Sequence, residues 1–188
     1  MSHAYFLNSG IASLLATTES GQTIDISMIG NEGFIGAPIL LHSRTPCRTM
    51  IHMPCEALRV DADAFLNEFH RGGQMQTLLL RYASVLYAQS VQSAVCHSLH
   101  SIKQRLCRYL MVISDSLRAD SFDLTQEDIA VMLGHERNRL TLNAGELKSK
   151  GLIEYGRGRI RIVDRTGLEA AACECYRIVK DSVNTAPL

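Results

Sequence analysis

The chain has 188 residues, 46% of them hydrophobic, and its 19 Lys and Arg balance 19 Asp and Glu. That length allows one large domain or two small ones with real cores, and the composition excludes a disordered or fibrous chain. No run approaches the roughly 18–20 apolar residues of a membrane span. The N-terminus MSHAYFLNSG lacks the basic flank and continuous apolar core of a secretory signal. The expected location is therefore cytoplasmic, with no membrane partner.

Residues 5 to 60 read as strands. IASLLATT and QTIDISMIG flank Glu19-Ser20-Gly21, a hairpin turn with glycine where a positive φ is needed. In the second run Ile24, Ile26 and Met28 alternate with Thr23, Asp25 and Ser27, the pattern of a half-buried strand. GNEGFIG is a glycine-punctuated turn, and IHMPCEALRV reads as a strand pair broken at Pro54. Several short strands with regular turns indicate a sandwich or roll. DADAFLNEF then forms a short amphipathic helix, capped by Asp61 or Asp63 and broken by Arg71-Gly72-Gly73.

The next stretch, MQTLLLRYASVLYA, is apolar except at Gln76, Thr77, Arg81 and Ser84, most of which share one stripe. A helix with so narrow a polar stripe buries more than one face. The roll takes one face, and a second copy of the helix is the economical cover for the other. The alternative is a central helix buried within one domain. Met75, Leu79, Tyr82 and Leu86 are the residues expected at the dimer interface. Serine and histidine replace the apolar run between His97 and Ser101, which sets the domain boundary there.

Ser101 and Gln104 have the spacing of a capping box, and Ile102, Leu106, Tyr109, Leu110, Ile113 and Leu117 recur at helical spacing behind it. Arg118 to Ser121 reads as a loop. Thr125 then caps a helix of about two turns, with Asp128 three residues on, Leu124 placed to staple onto Ile129, and Gly134 ending it. A second helix follows with Leu140, Ala144 and Leu147 inside and Arg137, Asn138, Arg139 and Thr141 outside. Two short helices around a glycine turn are the shape of a helix-turn-helix. LIEYGRGRIRI reads as two strands around Gly-Arg-Gly, a hairpin wing. From Arg137 to Arg161 seven Lys or Arg face two acids, an excess that suits a groove flanked by phosphates. A solvated basic face on an ordinary helix pair is the blander alternative. GLEAAACECYRIVKDSV reads as one short helix, and NTAPL as a disordered end.

The six cysteines form no C-x-x-C pair and show no zinc-finger spacing. Cys173-x-Cys175 offers half a soft-metal site, and its apolar setting favours packed thiols. His97 and His100 read as a polar pair at a helix end. No cofactor or metal is expected. With no nucleophile motif, metal pair or glycine-rich phosphate loop, the chain is not expected to be an enzyme.

GHERNRLTLNAGELKSKGLI, followed by EYGRGRIRI and DRTGLEAAACECY, resembles the winged helix-turn-helix of the Crp/Fnr transcription regulators. YFLNSGIASLLATTESGQTIDISMIGNEGFIG is similar to that family's effector domain, a β-roll that binds cyclic nucleotide in some members. The resemblance implies an α+β fold with a partial β-roll over 1–70, a long dimerisation helix over 71–98 and a winged helix-turn-helix over 99–188. The roll is expected to be partial because family members carry several strands before this point. The implied partners are double-stranded DNA, a second copy of the chain and RNA polymerase.

By position, Arg137 and Asn138 match the family's two leading base-reading sites, while the third falls on Leu142, where better-known members have arginine. Arg139 and Thr141 are further candidates on the same helix start. Thr125, Gln126, Arg157 and Arg159 are expected on phosphates. The degenerate effector pocket comprises Phe34, Gly36, Ala37, Arg44 and Thr45. Nucleotide-binding members place a ribose-binding glutamate where this chain has Ala37, and Pro38 removes an amide donor. Arg44-Thr45 resembles the phosphate-binding Arg-Ser pair out of register. The expected function is a homodimeric regulator working without cyclic nucleotide; a nucleotide-responsive regulator and a protein-interaction module are the alternatives.

Overall fold

The structure is a computed structural model that describes residues 1–40, 45–134 and 137–185, without the side chains of 137–139 and 184–185. Strands β1 (His3–Leu7), β2 (Ile11–Thr17), β3 (Thr23–Ile29) and β4 (Phe34–Ile35) lead into the short helix α1 (Ala37–Leu40). Strands β5 (Cys47–Met53) and β6 (Ala57–Asp61) follow. They form two antiparallel sheets, ordered β4-β1-β6 and β3-β2-β5. The expected hairpin is β2–β3. The run broken at Pro54 is not a pair, because its halves join different sheets, β5 along β2 and β6 along β1.

Strand β3 departs in part from the sequence expectation: Met28 is buried as expected, at 7% exposure, but so are its polar neighbours. In β3 Asp25 and Ser27 are buried, at 1% and 2% exposure, while Ile24 is 40% exposed. The register of β2 against β3 shifts between Leu14 and Leu15, and such a shift moves side chains to the other face. The polar face is satisfied by neighbours: Ser13 donates to the Asp25 carboxylate and Ser27 to the Gln89 side chain.

Helix α2 (Ala62–His70) begins at Asp61, whose carboxylate accepts from the Asp63 and Ala64 amides at 2.9 and 3.3 Å. Helix α3 (Gln74–Leu99) has 26 residues, about 39 Å at 1.5 Å per residue. Its inner face places Leu79, Tyr82 and Leu86 in the roll core with Ala4, Ile29, Phe34 and Phe65, and Met75 packs against the same cluster. The four residues expected at a dimer interface are thus covered by the chain itself. The apolar stripe left in solvent is Leu80, Tyr87, Val91 and Val95, at 55%, 73%, 47% and 37% exposure. The sequence pattern identifies two apolar faces but not which of them the roll takes.

Helix α4 (Ile102–Leu117) starts with the expected capping box. After it come β7 (Ser121–Asp123), α5 (Gln126–Leu133), α6 (Arg137–Ser149), β8 (Ile153–Gly156), β9 (Arg159–Ile162), α7 (Arg165–Ala171) and α8 (Cys175–Thr185). Part of the expected loop is strand: β7 pairs with β9, giving a sheet ordered β7-β9-β8. A core of Leu106, Leu110, Ile113, Leu124, Ile129, Leu133, Leu140, Leu147 and Ile160 unites these elements. The expected tail helix is two, interrupted at 172–174, because Cys173 and Cys175 turn inward and are buried. Asn184 and Thr185 belong to α8, and the rest of NTAPL lies outside the described residues.

Candidate nucleic-acid interface

Helix α5 is fixed at both ends by short-range chemistry. Thr125 Oγ1 accepts from the Asp128 amide at 3.1 Å, and the Thr125 amide donates back to Asp128 Oδ2 at 3.0 Å. Gly134 closes the helix at φ 64°, and a Cβ there would stand 2.6 Å from Ile24 Cγ2 of β3. Glycine is therefore required twice, by the left-handed backbone and by close approach to the roll. Helix α6 packs Leu140, Ala144 and Leu147 inward and leaves Thr141 and Leu142 outward, the latter 72% exposed.

Arg137, Asn138 and Arg139 lie in the first turn of α6; their side chains fall outside the described residues.

The wing stands beside the α5 cap. Leu124 N donates to Gly158 O at 2.8 Å, and a Cβ on Gly158 would meet Thr125 Cγ2 at 3.8 Å. Arg157 occupies the turn at φ 53° and is exposed. Arg159 sits one step back, where its Nε donates to Ser121 Oγ at 3.1 Å and faces Asp123 at 3.9 Å. Arg161 is held by both oxygens of Glu154, at 2.8 and 3.0 Å, so it adds little to the positive field. Lys148 Nζ donates to Tyr155 O at 3.4 Å and lines a shallow groove with Tyr155, Arg159 and Arg161. Thr125 is exposed and Gln126 half-buried at the start of α5, whose first turn also carries Glu127 and Asp128.

A buried polar seam joins this reader to the roll. His97 Nε2 lies 3.1 Å from the Asp25 carbonyl oxygen, and Arg105 Nη1 is 2.6 Å from His97 Nδ1 and 3.4 Å from the Leu133 carbonyl at the end of α5. Burial pushes the Asp25 carboxyl up to about 7, opposed by Ser13 and by Arg108 nearby. The sequence suggests a polar pair of His97 with His100; in the structure His97 instead bridges β3 and α4. The seam's signal in the sequence, polar residues inside an apolar pattern, is legible only once the faces are known.

Two family models match the chain: the cyclic nucleotide-binding domain over residues 1–71 and the Crp-like helix-turn-helix domain over residues 104–171. The chain belongs to the Crp/Fnr family. Among solved structures, FixK2 from Bradyrhizobium japonicum superposes with a TM-score of 0.76 at 13% identity, covering 92% of this chain and 88% of that one. The CRP-family regulator TTHB099 from Thermus thermophilus gives 0.74 at 17%, covering 91% and 88%. TTHA1359, a CRP/FNR-family regulator from the same organism, gives 0.73 at 21%, covering 90% and 87%. No curated protein matches the chain by sequence.

As a Crp/Fnr protein the chain is a transcription regulator rather than an enzyme, with a DNA-binding helix-turn-helix and a cyclic-nucleotide-binding-type domain. No described helix is long and apolar enough to cross a membrane. In the effector turn Phe34 is buried in the roll core at 3% exposure. Gly36 has φ 143°, and a Cβ there would lie 3.0 Å from Ala4 Cβ. Ala37 and Pro38 open α1. Thr45 is exposed, its Oγ1 accepting from the Cys47 amide at 2.9 Å, and Arg44 lies outside the described residues.

Proposed function

We propose that this regulator acts as a cytoplasmic homodimer on a two-fold operator, reading bases with the start of α6, and that it does so without cyclic nucleotide. In this reading residues 1–70 are the effector-type roll, 71–98 the dimer helix and 99–188 the reader. The observation that carries it is the wing turn seated against the α5 cap, with Gly158 beside Thr125, in a domain whose α6 begins at Arg137. Three phosphate- or base-seeking ends then meet one duplex face.

Dimerisation is supported by the exposed stripe of Leu80, Tyr87, Val91 and Val95, spaced seven, four and four residues apart along one side of α3. That spacing is the seam of a paired helix. Nucleotide independence is supported by Ala37 and Pro38, which supply neither a ribose acceptor nor a second amide. Arg137 and Asn138 suit guanine and adenine edges, with Arg139 and Thr141 beside them. Thr125, Gln126, Arg157 and Arg159 suit phosphates.

The test is binding of the full-length protein to genomic and random duplexes by fluorescence anisotropy at rising salt. Affinity falling steeply with salt, with a genomic subset bound at least about 10³-fold tighter than random DNA, is the expected result. Equal, weak binding to both would refute sequence-specific reading.

A further inference from the structure

The last turn of α3 and the interruption between α7 and α8 bring four metal-seeking side chains together. Cys96 and His100 are four residues apart and so share one face of the helix end. Cys173 comes from the loop that splits the tail, and Cys175 opens α8. Their ligand atoms all lie within 4.8 Å of one another. Cys96 Sγ is 3.5 Å from Cys173 Sγ, and Cys175 Sγ is 3.4 Å from His100 Nδ1.

A tetrahedral ion with metal–sulfur bonds of about 2.3 Å has ligand–ligand edges of about 3.8 Å. The four atoms are therefore already near the corners that one ion requires. The three thiols are buried at 0%, 4% and 0% exposure, which excludes competing water, while the partly exposed His100 edge leaves an entry path.

The surroundings are those of a metal site too. His100 uses Nδ1 toward the thiols and places Nε2 3.2 Å from the Glu174 carboxylate, the arrangement that fixes a ligating imidazole's tautomer and orientation. Gln92 Nε2 donates to Cys175 Sγ at 3.0 Å. Arg108, buried at 6% exposure, stands beside Cys96. Three thiolates and a neutral imidazole around a divalent cation leave one negative charge, and this guanidinium offsets it.

We propose that Cys96, His100, Cys173 and Cys175 form a four-coordinate site for one thiolate-seeking divalent cation of the zinc class. Binding expels the thiol protons to solvent and ties the α7–α8 loop to the end of the long helix. The ion thereby fixes the reader domain at the hinge where α3 passes into α4. All four ligand atoms crowd around a single point, so the site suits one ion and not an iron–sulfur cluster, whose cysteines must stand farther apart.

The test is made on the full-length protein, purified under reducing conditions, stripped with chelator and titrated with zinc and then cobalt. One ion per chain is expected, with the intense charge-transfer and ligand-field bands of a tetrahedral, sulfur-rich cobalt site. Cys173→Ser should lose stoichiometric uptake, whereas Cys47→Ser, remote on β5, should keep it. Glu174→Gln, at an exposed position that spares the fold, should weaken zinc about 10- to 100-fold.

Folded wild type that takes up no cobalt, or shows only weak octahedral bands, would overturn the proposal. So would a Cys96–Cys173 disulfide persisting under reducing conditions, or uptake unchanged in folded Cys173→Ser. Metal content is read without DNA, so this outcome is independent of operator binding.

Discussion

The exposed stripe on α3 makes a sharp prediction for the double substitution Tyr87→Glu, Val91→Glu. These side chains are 73% and 47% exposed in the single chain, so replacing them leaves the roll core untouched. Burying each against a partner would return roughly 1–2 kcal/mol. A two-fold interface counts each twice, so the double substitution removes about 4–8 kcal/mol before any cost of desolvating four carboxylates. At about 1.4 kcal/mol per decade this raises the dimer dissociation constant by roughly three to six orders of magnitude. Light scattering at micromolar protein should report a monomer with the circular dichroism of the parent. A folded double variant that keeps the dimer mass would refute this face as the interface.

Arg137→Ala should cost about 1–3 kcal/mol on selected DNA and relax one base position, whereas Arg157→Ala should weaken all sequences alike; selection on random pools for each variant separates the two. Cyclic AMP and cyclic GMP should give no heat of binding at micromolar concentration, and a one-to-one complex in calorimetry would show that the cassette works despite Ala37. Burial raises the Asp25 carboxyl from 3.8 to about 7, so the native state favours the protonated form. Stability is then highest below the unfolded-state pKa and falls as pH rises through about 7. Asp25→Asn should flatten that decline in denaturant melts between pH 4 and 8; an unchanged slope would place the titration elsewhere.

The reader domain is legible in the sequence because its signals are local. Thr125 with Asp128, Ser101 with Gln104, and Gly134 each dictate structure within a few residues. The roll and the long helix are less so, because their faces are chosen by distant neighbours. Leu79 and Tyr87 look alike in sequence, yet one is buried beneath the roll and the other is in solvent. Alternation in β3 is visible, but the shift at Leu14 and the polar partners Gln89 and Ser13 bring Asp25 and Ser27 inside along with Met28.

The cysteine–histidine cluster is hidden for the same reason. Each half, Cys96 with His100 and Cys173 with Cys175, is ordinary alone, and only the packing of α8 on α3 brings them together. The break in the tail at Cys173 follows from that burial and from no breaker in LEAAACECY.

The central claim, a two-fold reader of DNA, is tested most directly by selecting binding sites from genomic fragments with the full-length protein. The account predicts an inverted repeat whose half-site centres lie about one helical turn, roughly 34 Å, apart. A selected site without two-fold symmetry, or no enrichment over random sequence, would contradict it.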